Sequence, residues 1–101
     1  MRYHGVEISD QAIAAFCRRH HIRRLSLFGS ILRDDFGPDS DVDVLVEFEA
    51  GHVPGLLRMA GMQDELSGIF GRQVDLRTEA ELSRHFRDRV LREARAYYVD
   101  A

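Results

Sequence analysis

Two hydrophobic periods alternate along this chain. From Ile8 onward the apolar positions recur at helical spacing, with Ile13, Phe16 and Cys17 on one stripe, His20 at its end, and Arg18 and Arg19 facing away. Ser9 is an N-cap residue, Asp10 suits the first turn, and Ile8 and Ile13 are spaced as a hydrophobic staple, so a helix is predicted over residues 10–20. The period then changes to two. Residues 24–28 place Leu25 and Leu27 on one face and end at Gly29, while residues 41–48 place Val42, Val44 and Val46 together. That second run is the most apolar in the chain and is the predicted central strand. Gly37 and Pro38 make residues 35–40 a turn by composition.

Residues 49–55 read as a loop, after which the helical period returns over residues 56–70. Leu56, Met59, Ala60, Leu66, Ile69 and Phe70 are its predicted buried stripe, and Gly71 is placed to end it as a C′ residue. Residues 73–77 alternate again, Val74 and Leu76 against Gln73, Asp75 and Arg77. Thr78 and Glu81 are spaced as a capping box, which predicts a helix starting there with Leu82, Phe86, Val90 and Leu91 as apolar positions and a break near Arg87. Residues 96–99 fit either an extension of that helix or a short returning strand. Residues 1–8 carry no clear period, and no repeat or low-complexity segment is present.

This succession of strands and helices implies one α/β (α+β) domain over residues 1–101, large enough for a core and too small for a second substrate-binding domain. Anything large that it acts on must be supplied by another molecule. No apolar run approaches the roughly 20 residues of a membrane span, and no signal peptide is visible. Cys17, the single cysteine, has no partner for an internal disulfide and fits a small buried hydrophobe in a reducing cytoplasm. All 14 basic residues are arginine, which excludes a Walker-type phosphate loop and a lysine nucleophile. The net charge of −3 offers no general attraction to nucleic acid.

Several features take structural readings. His20 and His21 would point about 100° apart on a helix, too far for shared metal ligation. Arg18, Arg19, Arg23 and Arg24 read as a solvated face, and Tyr97 and Tyr98 as packing residues.

The chemistry gathers between residues 27 and 46. Asp41 and Asp43 fall on the strand face opposite the valines, with Cα atoms about 7 Å apart, so both carboxylates can converge on divalent metal. Ahead of them Gly29 tolerates unusual backbone angles, and Ser30 begins a helical turn whose N–H groups and hydroxyl suit phosphate oxygens. Asp75 adds a third carboxylate from another strand. Three aspartates on one sheet face are a two-metal arrangement: two ions about 4 Å apart clamp a triphosphate, stabilise leaving pyrophosphate and lower the pKa of an attacking hydroxyl. Asp75 would be the acceptor-side ligand or the base.

Phe28-Gly29-Ser30, Arg33 and Ser40-Asp41-Val42-Asp43 resemble the signature of the minimal nucleotidyltransferases, relatives of the DNA polymerase β palm. The resemblance covers nearly the whole chain and implies a mixed β-sheet flanked by helices. It implies that Gly29 and Ser30, with Arg33, contact the nucleotide phosphates and that Asp41, Asp43 and Asp75 bind Mg²⁺, two ions with Mn²⁺ as a substitute. At Arg33 the chain departs from the usual Ala-Arg-Gly, having Leu32 and Asp34 on either side.

Many such proteins are antitoxins that inactivate a HEPN-domain ribonuclease toxin by adding AMP to a tyrosine. The resemblance therefore implies ATP as substrate, a cognate HEPN toxin as partner and AMP transfer to its hydroxyl. Two alternatives stay open: a silent antitoxin acting by contact, and a nucleotidyltransferase with a small-molecule acceptor.

Overall fold

The computed structural model of the chain describes residues 2–3, 6–33 and 36–100. In chain order the elements are β1 (Arg2–Tyr3), β2 (Val6–Glu7), α1 (Asp10–Arg19), β3 (Ile22–Phe28), the 3-10 turn η1 (Gly29–Leu32), β4 (Val42–Phe48), α2 (Leu56–Phe70), β5 (Val74–Arg77), the 3-10 turn η2 (Glu79–Glu81), α3 (Arg87–Glu93) and β6 (Arg95–Val99). Four strands form one mixed sheet in the order β5-β4-β3-β6, and β1 and β2 pair separately. The β3–β4 and β3–β6 pairs are antiparallel and the β4–β5 pair is parallel. A mixed sheet flanked by helices is the expected fold class.

Alternation along the strands divides the sheet into a covered and an open face. Leu25 and Leu27 lie opposite Val46 and Val44, and Val42 and Val44 lie opposite Val74 and Leu76. All are buried, and Ile13, Phe16 and Cys17 of α1 and Met62, Leu66 and Phe70 of α2 close over them. Fully burying such a side chain is worth about 1.5–3 kcal/mol, so this layer dominates the fold. The open face carries Ser26, Phe28, Asp43, Leu45 and Asp75.

The helix ends follow local chemistry. Ala12 N–H donates to Ser9 Oγ at 3.2 Å to cap α1, and Gly71, at φ +71°, closes α2 in the left-handed region. Asp35, the first residue of the predicted turn before β4, lies outside the described residues, as does Asp34.

Five expectations are corrected. β3 begins at Ile22 rather than Arg24, because a bulge between those residues interrupts the strict alternation. β4 begins at Val42, so Asp41 stands immediately before the strand. In α2 Leu56 is 87% exposed and Ala60 is exposed, whereas Met62 is buried. At 100° per residue Leu56 and Ala60 sit about 120° and 160° from Met62, off the stripe it shares with Leu66. The Thr78 capping box forms, Thr78 N–H donating to Glu81 Oε1 at 2.9 Å, but it opens a single 3-10 turn. The chain then turns Leu82 inward and α3 starts at Arg87, leaving Phe86 and Leu91 exposed. Residues 96–99, open between helix and strand, belong to β6. The short β1–β2 ladder has no sequence period long enough to announce it.

The features given structural readings behave as surface and packing groups. His20 packs on Phe16 and meets Glu65 at 3.0 Å, while His21 stacks on His52. Arg19 pairs with Glu65, and Arg23 pairs with Glu47 at 2.8 Å. Tyr97 and Tyr98 lie half-buried against the core, the Tyr97 hydroxyl donating to the Asp10 carboxylate.

Candidate active site

The site is built where β3 ends and β4 begins. Gly29 leaves β3 at φ +75°, and a β-carbon there would overlap Oδ2 of Asp43 and stand 3.1 Å from its Cγ. Only glycine meets both demands, the backbone angle and the close approach. Phe28 lies opposite Asp43 in the β3–β4 ladder, so the Gly29 turn is held against that carboxylate by strand register. Ser30 Oγ reaches the backbone oxygen of Asp41 at 3.5 Å, joining the η1 turn to the start of β4.

Register also brings in the third aspartate. Asp43 and Asp75 are direct neighbours across the parallel β4–β5 pair, both half-buried, and Asp41 is exposed at the mouth. Burial pushes the Asp43 carboxyl above its ordinary range, and the charges of Asp75 and Asp41 push it further. Arg77 and Arg33 pull it the other way. All four groups are therefore close enough to be felt at Asp43.

Asp75 already has a cation. Arg77, two residues on along the same face, grips it through Nε to Oδ1 and Nη2 to Oδ2, both at 3.2 Å. Among the described residues no three histidine, cysteine or acidic side chains are set as a metal-ligand group as they stand. The donor set nevertheless suits a hard cation: three carboxylates, one destabilised by its neighbours' charge, with a guanidinium on the third. The Arg77 fork uses one lone pair of each Asp75 oxygen and leaves a second on each for another ligand.

Arg33 is exposed and lines a cleft beside Gly29. Along the open face an apolar groove of about 450 Å³ runs past Ser26, Leu45, Thr78, Leu91 and Ala96.

One residue that sequence reasoning missed is Arg72. Its guanidinium donates to the backbone oxygens of Pro38 at 2.8 Å, Gly37 at 3.2 Å and Ser40 at 3.3 Å, and it lies 4.6 Å over the Phe36 ring. Val42 N–H donates to the Gln73 oxygen at 2.9 Å just beyond. The loop leading into Asp41 is thus fastened to the end of α2. A single arginine after Gly71 carries no local signal of this, because its partners lie more than thirty positions upstream.

The nucleotidyltransferase domain family matches residues 9–98. The protein adenylyltransferase MntA of Thermococcus cleftensis is 37% identical over 75 residues, 74% of this chain and 74% of that protein. A candidate protein adenylyltransferase of Methanocaldococcus jannaschii is 37% identical over 76 residues, 75% of this chain and 80% of its own. Among solved structures, a candidate minimal nucleotidyltransferase superposes with a TM-score of 0.69 at 40% identity, covering 85% of this chain and 86% of that one. A toxin–antitoxin structure with AMP-PNP superposes with a TM-score of 0.73, covering 92% of this chain and 75% of that one, and at 18% identity the likeness is one of fold. With the Gly29-Ser30 turn, Asp41 and Asp43 at the mouth of β4 and a family match over most of its length, this chain belongs to the nucleotidyltransferase domain family and is an enzyme of its minimal, MntA-like kind.

Proposed function

We propose that the chain is a Mg²⁺-dependent protein adenylyltransferase, the antitoxin of a toxin–antitoxin pair, which transfers AMP from ATP to a hydroxyl of its partner. The observation that carries this reading is the meeting of Gly29 with Asp43 beside Asp41 and Asp75: a turn shaped for phosphate set against three carboxylates. The naming of relatives as protein adenylyltransferases supports ATP as donor and a protein as acceptor. The fold shared with an AMP-PNP-bound toxin–antitoxin structure supports a toxin as that protein. A HEPN ribonuclease and its tyrosine are the partner and acceptor proposed from the family resemblance alone.

Asp41, Asp43 and Asp75 would hold Mg²⁺, or Mn²⁺ in its place, which when bound neutralises phosphate charge and lowers the pKa of a hydroxyl beside it. Gly29 and Ser30 offer backbone and hydroxyl hydrogen bonds to the triphosphate, and Arg33 lines the cleft on the same side as a charged donor. The acceptor oxygen attacks the α-phosphorus of ATP, the bond to the bridging oxygen of the β-phosphate breaks, and pyrophosphate leaves with that oxygen. The acceptor's proton passes to the Asp75 carboxylate as the oxygen attacks. The open face leaves these groups accessible, so the partner itself closes the site and excludes water.

The test is mass spectrometry of the purified pair with ATP and Mg²⁺, in which the partner gains one AMP on a tyrosine. Asp41→Asn with Asp43→Asn should abolish both the mass gain and neutralisation of the toxin. If the partner's mass never changes and the double variant still neutralises it, the chain acts by contact alone.

A further inference from the structure

Beside Gly29 lies a second charged feature, opposite in sign to the aspartates. A cleft of about 540 Å³ is lined by Gly29, Leu32, Arg33, Arg89, Arg92 and Arg95, together with Glu93 and Ala94. Its arginines come from three elements. Arg33 follows η1, Arg89 and Arg92 are one turn apart on α3, and Arg95 opens β6 opposite Leu27, two residues before Gly29. Glu93 is the one carboxylate in the lining, and Arg89 Nε already pairs with it at 3.2 Å. Among the described residues the guanidinium groups of Arg92 and Arg95 meet no carboxylate and no hydrogen-bond acceptor.

A concentration of positive charge in a chain of net charge −3 is a local field with its own preference for ligands. Arg92 and Arg95, beside Arg33 and the Glu93-paired Arg89, concentrate positive charge around one concave space, and a phosphate group supplies the acceptors their planar forks match. The cleft meets the aspartate site at Gly29, whose turn abuts Asp43, and Arg33 is felt electrostatically at Asp43 while lining the cleft. An anion extending from the carboxylates past Gly29 therefore runs into the arginines.

We propose that this cleft is a polyphosphate subsite in which Arg89, Arg92 and Arg95, beyond Arg33, bind the β- and γ-phosphates of the nucleotide and hold pyrophosphate as it departs. The inference rests on the nucleotidyltransferase reading of the aspartates. It divides the triphosphate between two fields: the α-phosphate at Asp41, Asp43 and Asp75, and the outer phosphates in the arginine cleft. It also makes the site selective for triphosphates over monophosphates.

The test uses the whole chain and its Arg92→Gln with Arg95→Gln variant, whose side chains are exposed, with folding checked by circular dichroism. Calorimetry measures ATP, AMP and inorganic tripolyphosphate. The wild-type chain should bind tripolyphosphate competitively with ATP. The variant should lose ATP affinity by about tenfold for each arginine removed, keep AMP affinity, and lose tripolyphosphate binding. Arg92→Lys with Arg95→Lys keeps the charge without the fork and should fall between. Unchanged ATP and tripolyphosphate binding in the glutamine variant overturns the subsite, as does an equal loss for ATP and AMP, or an RNA oligonucleotide that outcompetes tripolyphosphate. The two readings fail separately. Transfer by a chain whose glutamine variant binds ATP normally sinks the cleft alone, whereas tight tripolyphosphate binding without transfer to any partner sinks the transferase reading alone.

Discussion

Asp43 and Asp75 stand side by side on adjacent parallel strands, and among the described residues a guanidinium grips Asp75 and none grips Asp43. Asp43 bears the penalty of its own burial and then of that neighbour's charge, so its carboxyl titrates above the ordinary range. The folded state then holds a proton that the unfolded chain releases more easily. The resulting destabilisation is absent below the ordinary carboxylate value and grows as pH rises through the shifted one. Asp43→Asn should therefore melt at or above the wild-type temperature near pH 7 in EDTA, the advantage shrinking toward pH 4. Thermal scans across that range check it. A variant that melts several degrees lower at pH 7 would make Asp43 a structural partner rather than a strained ligand.

Gly29→Ala should act on both stability and chemistry. The left-handed backbone costs a non-glycine residue about 1–2 kcal/mol, and the added methyl group would occupy the space of the Asp43 carboxylate. Transfer should be lost in the folded variant, with melting lowered by roughly 4–16 °C. Full activity in Gly29→Ala would show that the turn and carboxylate separate freely, contrary to the register that holds Phe28 opposite Asp43.

Burial raises the Cys17 thiol to about 12, against a smaller opposing pull from Arg18. The native chain should react with iodoacetamide at pH 8 only as fast as it unfolds, since the thiolate is the nucleophile. Labelling in denaturant should be prompt. Rapid labelling of the native protein would mean that the α1 stripe opens locally.

What the sequence disclosed and what it hid divide along local and tertiary lines. The valines of β4 and the span of α2 were legible because a strict period persists over seven or more residues, and Gly71 marks the helix end. The aspartates were legible because spacing within one strand sets the face they share, although Asp41 falls just outside it. The direction of the α2 face was less so: Leu56 is apolar yet off the stripe, and an apolar residue does not state where it points. At Thr78 the capping box announced a start without a length, which Leu82 decided by turning inward. The arginines of α3 carry no local signal, since nothing nearby in the chain says that α3 and β6 return beside Gly29.

Arg72 gives the final prediction, because it connects stability to the placement of a ligand. Its three hydrogen bonds to the backbone oxygens of Gly37, Pro38 and Ser40 and its position over Phe36 fasten the loop whose next residue is Asp41. Arg72→Gln removes the fork and leaves carbonyls to water, an expected loss of about 1–3 kcal/mol. In a chain of this size each kcal/mol lowers the melting temperature by roughly 4–8 °C. If stability were the whole effect, the folded variant would turn over normally in the cold. We expect instead that kcat falls well below wild type at a temperature where the variant is fully folded, while KM for ATP changes little, because Asp41 is displaced and the cleft arginines are untouched. Arg72→Lys keeps a cation over Phe36 but cannot span three carbonyls, so it should recover part of the stability and less of the rate. A folded Arg72→Gln chain with wild-type kcat would confine Arg72 to holding the loop together and leave Asp41 positioned by β4 alone.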